Sequence, residues 1–526
     1  MIGADMAAST ASGDHDVVVV GGGHNGLVCA AYLARAGVDV LVVEARPTVG
    51  GCASTVDALG ARVNVCNCDH YGVRGLPLME ELDLARHGLR YLDLEATMLA
   101  LPWEGRPWVA FHDLARTLDG LARTHPDQVD GYRRFAADAL PMADLLIELA
   151  HHPPRAARMA ATALARGEGA ARRFVTWSRA SASDVLGRYF TSDDIMGPAV
   201  ATGPGVWGVS PHRRGTGVGA VAMVMKHVVQ PGRPVGGSGA LTDAVAASLR
   251  AAGGSIATDT AVSSIAVEGH GVAGIVTADG DEVKAGCVVV ACDPRTALVE
   301  WVRSPPPALE ALQRRWRSMP RHDGYESKVD AVVGTVPQYR LDSVVTDVLG
   351  TVPAAAPTAV LSPTVEGVAA GRAAADRGRV AARPIMLANI PSVLDASMRV
   401  GDRHVFSLEV LFTPYALAGG WPASDEPARW LARYAEVVGP GFAESIVGWR
   451  AMTPDRYEAD FGLPRGHAAS FAGGPVAALL GRQPELTRYQ TPLAGLYLTG
   501  AATFPGAGVW GASGRNTATV VLDHLA

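Results

Sequence analysis

Cysteine is sparse, with six residues in a chain of 526. That excludes a small disulfide-stapled scaffold and fits a reducing, cytoplasmic setting. Lysine is scarce beside arginine: Lys226, Lys284 and Lys328 are the lysines among 46 basic residues. With abundant Ala and Gly, this bias reads as a GC-rich genome rather than as chemistry. Positive charge is not in excess, since the formal net charge is −6, and no nucleic-acid partner is expected. No uninterrupted apolar run reaches the roughly 18 residues of a membrane-spanning helix. The opening MIGADMAASTASGDHD has neither a positive n-region nor an apolar h-region. No secretory signal is expected there, and the first residues read as a disordered tail. What remains is globular, with 48% hydrophobic and 19% charged residues. The chain is long enough for two or more domains, because single cores stop growing at about 250–300 residues.

The strongest pattern lies in residues 16–51. Val17 to Val20 is an all-apolar β-branched run, as expected of a strand buried on both faces of a parallel sheet. It leads into Gly21, Gly23 and Gly26 in Gly-x-Gly-x-x-Gly spacing, with His24 and Asn25 between them. Gly21 permits a tight turn, Gly23 lets the backbone approach a pyrophosphate, and Gly26 lets the next helix pack close to the strand. The helix LVCAAYLARAG stops at Gly37. Its free N-terminal N–H groups and dipole face the phosphates. Val38 to Val43 reads as the second strand, with Glu44 at its end. A carboxylate there accepts hydrogen bonds from ribose hydroxyls and repels a 2′-phosphate. A lone glycine motif is weak, but strand, glycines, helix, strand and acid in register point specifically to a dinucleotide.

Beyond the acid, Ala45, Arg46, Gly50 and Gly51 (in EARPTVGG) extend the pattern. This second glycine pair resembles the large FAD family that includes flavin amine oxidases and phytoene desaturases. The resemblance implies FAD rather than dissociable NAD, with this segment wrapping the pyrophosphate and ribityl region. Residues 235–262 read as a Gly-rich turn, a helix from Leu241 to Ala252, a Gly-Gly stop and a strand into Val262. In the resemblance, the backbone at Val262 holds the adenine. Residues 263–291 alternate short strands with turns, similar to the family's β-meander. Near the C-terminus, GLYLTGAATFPGAGVWGASGRNTATVV carries a strand to Gly500, a loop at Gly506 and Gly508, and a helix starting near Gly511. A helix N-terminus there stabilises negative charge on the flavin N1–C2=O edge. The segment resembles the C-terminal signature of phytoene desaturase-like proteins, and Gly500, Ala501, Gly508, Val509 and Gly511 are its implied contacts. Ala501 stands where many of the wider superfamily carry an acid, which leaves backbone contacts only.

The chain is thus similar to the FAD-dependent phytoene desaturase and carotenoid isomerase-like family within the amine oxidase superfamily. The match covers both ends and the block 235–295. Residues 77–230 and 300–480 agree only in general layout. The implied fold is α/β. A Rossmann-like FAD-binding domain of the glutathione-reductase type, βαβ plus β-meander, comprises 14–76, 231–300 and 484–526. An α+β substrate domain comprises 77–230 and 301–483. No second GxGxxG lies between a strand and a helix, so no NAD(P)H domain is expected. Oxygen, a quinone or a redox protein would then reoxidise the flavin, unless the cycle is redox-neutral.

Several residues are candidates for the chemistry. Lys328 lies on an alternating strand, GYESKVDAVVGTV. In the resemblance a lysine on such a strand is water-bridged to flavin N5, and an apolar pocket would lower its pKa. The plainer reading is a surface lysine. Cys66-Asn67-Cys68-Asp69-His70 is too tight for a zinc clip and lacks a second cysteine pair, so no metal is expected. His70 is a candidate catalytic residue, and Tyr71 and Arg74 candidate pocket walls, against a loop merely closed by polar residues. Trp207 and His212 sit in a Gly/Pro-rich loop, a kind of segment that commonly shapes a site. Trp510 follows Gly508-Val509 and would wall the cavity, against ordinary packing. The stretch PRAARMAATALARGEGAARRF reads as a basic amphipathic helix, either a solvated face or a membrane-surface contact.

The expected function is two-electron oxidation of an organic small molecule. Hydride passes from a C–H or C–N centre to flavin N5, with desaturation of an apolar or secondary-metabolite substrate first. The alternatives are a peroxide-releasing amine oxidase, a redox-neutral isomerase, and a non-catalytic FAD-binding scaffold. The reading leaves room for a homodimer and for peripheral contact with the inner face of the membrane.

Overall fold

The computed structural model describes residues 13–66, 68–467 and 474–526. The expected N-terminal tail and Asn67 of the cysteine motif lie outside the described residues.

The first strand, Asp14–Val20, is flanked in parallel by Val40–Val43 on one side and Glu282–Val290 on the other. Ser255–Ala257 continues the parallel sheet beyond Val40–Val43, and Leu496–Leu498 pairs with the C-terminal half of Glu282–Val290. Both faces are covered. Val17, Val19, Val40, Val42, Cys287 and Val289 pack to one side. Val18, Val20, Leu41, Val43, Val288 and Val290 pack to the other. Because neither face meets water, these strands are unbroken apolar runs rather than alternating ones. The N-terminal half of Glu282–Val290 pairs antiparallel with Gly271–Thr277, which pairs in turn with Val262–Glu268. One strand therefore belongs both to the parallel sheet and to a meander. Helices His24–Arg35, Gly239–Ala251 and Ala512–Leu525 share the core on one face. This is the Rossmann-like arrangement expected.

A second seven-stranded sheet runs in the order Ile446–Met452, Glu326–Val333, His404–Leu411, Met386–Asn389, Ala359–Ser362, Ala96–Pro102, Trp108–Phe111. Ala359–Ser362 and Ala96–Pro102 pair in parallel within it. One face is apolar: Val329, Ala331, Val333, Phe406, Leu408 and Val410 pack into a single core. The opposite face carries Val332 and Val405 against Ala61 and Val63. It also carries a run of polar residues that bear on function. A helical layer over 114–228 closes the far end of this sheet, with Tyr132, Phe135 and Trp177 in its core.

Two local expectations change. The second strand starts at Val40, two residues late, because Gly37 at φ +86° still belongs to the helix exit. The basic amphipathic helix is two helices, Ala156–Ala165 and Glu168–Trp177, broken at Gly167, whose φ of +93° continues no helix. The last proline of the run 305–307 opens a helix, Pro307–Ser318. Proline at the first helical position lacks only an N–H that would be unpaired there anyway. Among the described residues, no helix is long and apolar enough to cross a membrane.

Candidate functional site

The site begins at the glycine turn. Gly21 adopts φ +105°, and a Cβ there would stand 2.9 Å from the Cys292 sulfur. At Gly26 a Cβ would stand 2.1 Å from the Gly21 carbonyl, so only glycine lets helix and strand approach this closely. Gly23 is the opposite case: a Cβ there would meet nothing within 4 Å among the described residues. Its flank is open space. The helix it opens has no side-chain cap, so its first N–H groups are free to meet a ligand.

Glu44 ends the second strand, buried. Its carboxylate accepts from the Gly22 N–H at 2.7 Å and the Arg46 N–H at 3.0 Å. The acid thus fixes the glycine turn and keeps lone pairs on both oxygens. Gly50 N–H donates to the Gly22 carbonyl at 2.8 Å, which lays the second glycine pair against the first turn. Arg46 stacks 4.2 Å from the Phe461 ring centre, and one of its guanidinium nitrogens is buried with no partner among the described residues.

The third segment meets the first. His24 hydrogen-bonds to the Gly508 backbone, and the Gly514 N–H points at the Asn25 side-chain oxygen at 3.4 Å. Burial holds the His24 imidazole down to about 4, against that hydrogen bond. Gly511, at φ +75°, opens the terminal helix, again with no side-chain cap. Val509 accepts from the Val73 N–H at 3.0 Å, and the Tyr71 and Trp510 rings meet edge to face at 6.2 Å. Gly72 is needed here because a Cβ would stand 2.7 Å from the Trp510 ring. Ala501 is half-buried just past Gly500, and Val262 opens the first strand of the meander.

The polar face of the second sheet stands beside Cys66, which is hydrogen-bonded to Cys52, the residue after Gly51. Glu326, Lys328 and Asp330 share it by alternation, with Glu409 opposite Lys328 and Ser407 opposite Asp330. The Lys328 ammonium donates to the Asn64 carbonyl at 2.6 Å and to Asp330. Asp330, fully buried, also accepts from Ser407 at 2.8 Å and from Arg450 at 3.2 Å. Glu326 and Glu409 are both half-buried on this face. Burial pushes Glu326 up to about 7. Burial, then repulsion from Glu326, pushes Glu409 up to about 8, against the pull of Lys328. Sequence reasoning passed over this pair. The only signal was an acid at alternate positions of two otherwise apolar strands.

The other candidates fall elsewhere. His70 is buried, and both ring nitrogens are engaged, by the Tyr91 hydroxyl at 2.9 Å and the Ser238 hydroxyl at 3.0 Å. Burial drives it down to about 3. Both ring nitrogens are thus occupied by neighbouring hydroxyls, an arrangement that ties the loop to Tyr91 and Ser238. Arg74 is turned away from the glycine loops. It pairs with Asp93 at 2.7 Å, lies over Tyr91, and lines an outer crevice with Ile147 and His151. His212 is held on the exposed surface by Ser183 at 2.8 Å and Glu366 at 3.0 Å. Trp207 is 43% exposed. Its loop reaches the cavity wall through its neighbours, since the Val206 carbonyl accepts from the Tyr325 hydroxyl at 2.9 Å.

The arrangement fits a flavin dinucleotide. Two uncapped helix N-termini, an open flank at Gly23 and a free Arg46 nitrogen converge where phosphates would lie.

Comparison with known proteins agrees. The family model "Flavin containing amine oxidoreductase" matches residues 26–322, more than half of the chain. Pyridine nucleotide-disulfide oxidoreductase domain-containing protein 2 of Rattus norvegicus is 28% identical over 97% of this chain and 94% of its own length. A limonene dehydrogenase subunit of Castellaniella defragrans is 33% identical over 129 residues, 24% of each chain. Putrescine oxidase bound to putrescine superposes with a TM-score of 0.63 at 19% identity, covering 97% of this chain and 99% of that one. The chain belongs to the flavin-containing amine oxidoreductase family, and it is an oxidoreductase whose cofactor is FAD.

Proposed function

We propose that the chain oxidises an organic amine at the C–H bond beside nitrogen. The observation that carries this is the titratable face of the second sheet, where Glu326, Lys328, Asp330 and Glu409 stand together. A hydrocarbon laid against that face would strand polar groups at a cost of roughly 2–7 kcal/mol each. A charged or hydrogen-bonding substrate would not.

Gly21, Gly23 and Gly26, with His24 and Asn25, hold the pyrophosphate. Glu44 and the Ala45 backbone hold the ribose, and Val262 holds the adenine. Arg46, Gly50 and Gly51 hold the pyrophosphate–ribityl stretch. Gly500, Ala501, Gly508, Val509 and Gly511 meet the pyrimidine edge of the ring. FAD, when bound, supplies the two-electron acceptor. Tyr71 and Trp510 would wall the substrate, and Lys328, pinned by Asp330 and Asn64, would keep one N–H for a group at the reactive edge. The cofactor-binding part is 14–76, 231–300 and 484–526. The strands of the second sheet all fall within 77–230 and 301–483, which supports those two stretches as the substrate part.

The test is anaerobic bleaching of the flavin by a panel of primary and secondary amines. Peroxide on reoxidation would identify oxygen as acceptor, rather than a quinone or redox protein. Lys328→Met should slow flavin reduction or reoxidation at least tenfold. Unchanged rates in both half-reactions would remove its role. Bleaching by no organic substrate at all would favour a scaffold.

A second reading, desaturation of an apolar substrate in the manner of phytoene desaturases, draws on the likeness to the limonene dehydrogenase subunit. It brings the membrane with it: Leu164 and Val175 are exposed on helices that also expose Arg158, Arg166 and Arg172. Bleaching by limonene and not by amines would select this reading.

A further inference from the structure

Nothing above gives Glu326 and Glu409 a role. They lie on neighbouring antiparallel strands, with Glu409 opposite Lys328 and Glu326 opposite Leu411. The two carboxyls are therefore diagonal neighbours on one face, within side-chain reach of each other. The Lys328 ammonium between them turns instead to Asp330 and Asn64. The groups facing the two acids come from every surrounding element. Cys66, with Cys52 hydrogen-bonded to it, approaches from the end of the strand Ala61–Asn64, Tyr325 from the head of the strand Glu326–Val333, and Tyr457 from the helix Pro454–Phe461. Asp330 and Arg450 lie beyond Lys328. Cys52 directly follows Gly51, whose own flank is 3.3 Å from the Gly23 Cα. Through Cys66 and Cys52 the pair is thus linked to the glycine segment that would border the cofactor cavity.

We propose that Glu326 and Glu409 share one proton over the reactive end of this cavity and accept the proton that the substrate nitrogen must lose. The proposal rests on the amine reading above. A substrate ammonium gives one proton to the free carboxylate of the pair and becomes the neutral amine. The C–H bond beside nitrogen then breaks, its hydrogen leaving with the electron pair to the flavin. The nitrogen lone pair closes the C=N double bond, so that the product leaves as an iminium cation. The pair, now doubly protonated, returns its proton to solvent. Lys328 is unsuited to this step, because its ammonium is already committed to Asp330 and a backbone carbonyl. Two carboxyls at this range in a dry site do not both ionise readily. The proton affinity of the pair therefore lies in the neutral range, where a general base works best.

The test is a titration of the oxidised holoenzyme between about pH 5 and about pH 9, followed by flavin absorbance and by the infrared C=O stretch of protonated carboxyls. A one-proton step in the neutral range, visible in both signals, is expected. Glu409→Gln should abolish it, and Glu326→Gln should move it to lower pH by removing the repulsion on Glu409. Two carboxyls titrating in the ordinary acid range would overturn the proposal, and so would a neutral step that survives both substitutions. With an amine that bleaches the wild-type flavin, Glu409→Gln should slow reduction about a hundredfold and flatten its pH profile. Glu409→Asp should restore part of the rate. FAD content and melting temperature control for misfolding. If no amine bleaches the flavin but the neutral step is present, the amine reading fails while the shared proton stands.

Discussion

Gly23 and Gly26 belong to one motif but answer to different constraints. Gly26 is required by the protein itself, because a methyl there meets the Gly21 carbonyl at 2.1 Å. Gly26→Ala should destabilise even the cofactor-free protein, by about 3 kcal/mol, read in a urea unfolding curve. Gly23 borders open space. Gly23→Ala should leave cofactor-free stability within about 0.5 kcal/mol while sharply reducing the FAD retained through purification. Equal loss of stability in both variants would refute the distinction.

His24 and His70 contribute to an acid limit. His24 is held down to about 4 and His70 to about 3 by burial. A group with a depressed native pKa contributes stability above its unfolded value that is lost as pH falls through the native one. Stability should therefore decline from about pH 6.5 toward about pH 4, with flavin released over the same range because His24 bonds to the Gly508 loop. Flavin fluorescence during an acid titration reads this directly, and His70→Gln should weaken the decline. Glu326 and Glu409 act at the other limb. Their raised native pKa values mean that the stability they contribute is present in acid and is lost as pH rises through about 7 to about 8.

At the scale of elements, the strand Glu326–Val333 divides the molecule. One face belongs to an apolar core and the other to a buried network of charge. Asp330 is the centre of that network, fully buried between Lys328 and Arg450. Asp330→Asn should cost about 3–5 kcal/mol, because it leaves a buried ammonium without its counter-charge. Thermal unfolding of wild type and variant would measure it. A loss under about 1 kcal/mol would mean that solvent reaches the cluster. The strand itself was legible: alternation in GYESKVDAVV predicts it, and it forms. The side chains it would face were not legible, since Asn64, Ser407 and Glu409 come from other strands far along the chain.

At the scale of the whole molecule, three distant stretches meet at one cavity: residues 21–26, 44–51 and 500–514. Their uncapped helix starts and the open flank of Gly23 leave backbone N–H groups for a ligand to satisfy. The cofactor should therefore act as a fold ligand. At a FAD concentration about a thousandfold above its dissociation constant, it should add about 4 kcal/mol of stability. A melting temperature that does not respond to added FAD would contradict this.

The sequence by itself determined the parallel sheet, its helices and the cofactor, because a strand buried on both faces and a glycine turn at a helix start are local demands written in consecutive residues. Even the meander was visible as strands and turns between Val262 and Val290. Only the tertiary structure decided what faces the cavity. It committed both nitrogens of His70 to neighbours, turned Arg74 and His212 outward, and drew Glu326 and Glu409 together. The physical reason is that burial and partnership decide whether a polar side chain works as a structural bond or as a reacting group. Both depend on residues from 19 to 168 positions away, brought near only when the chain folds.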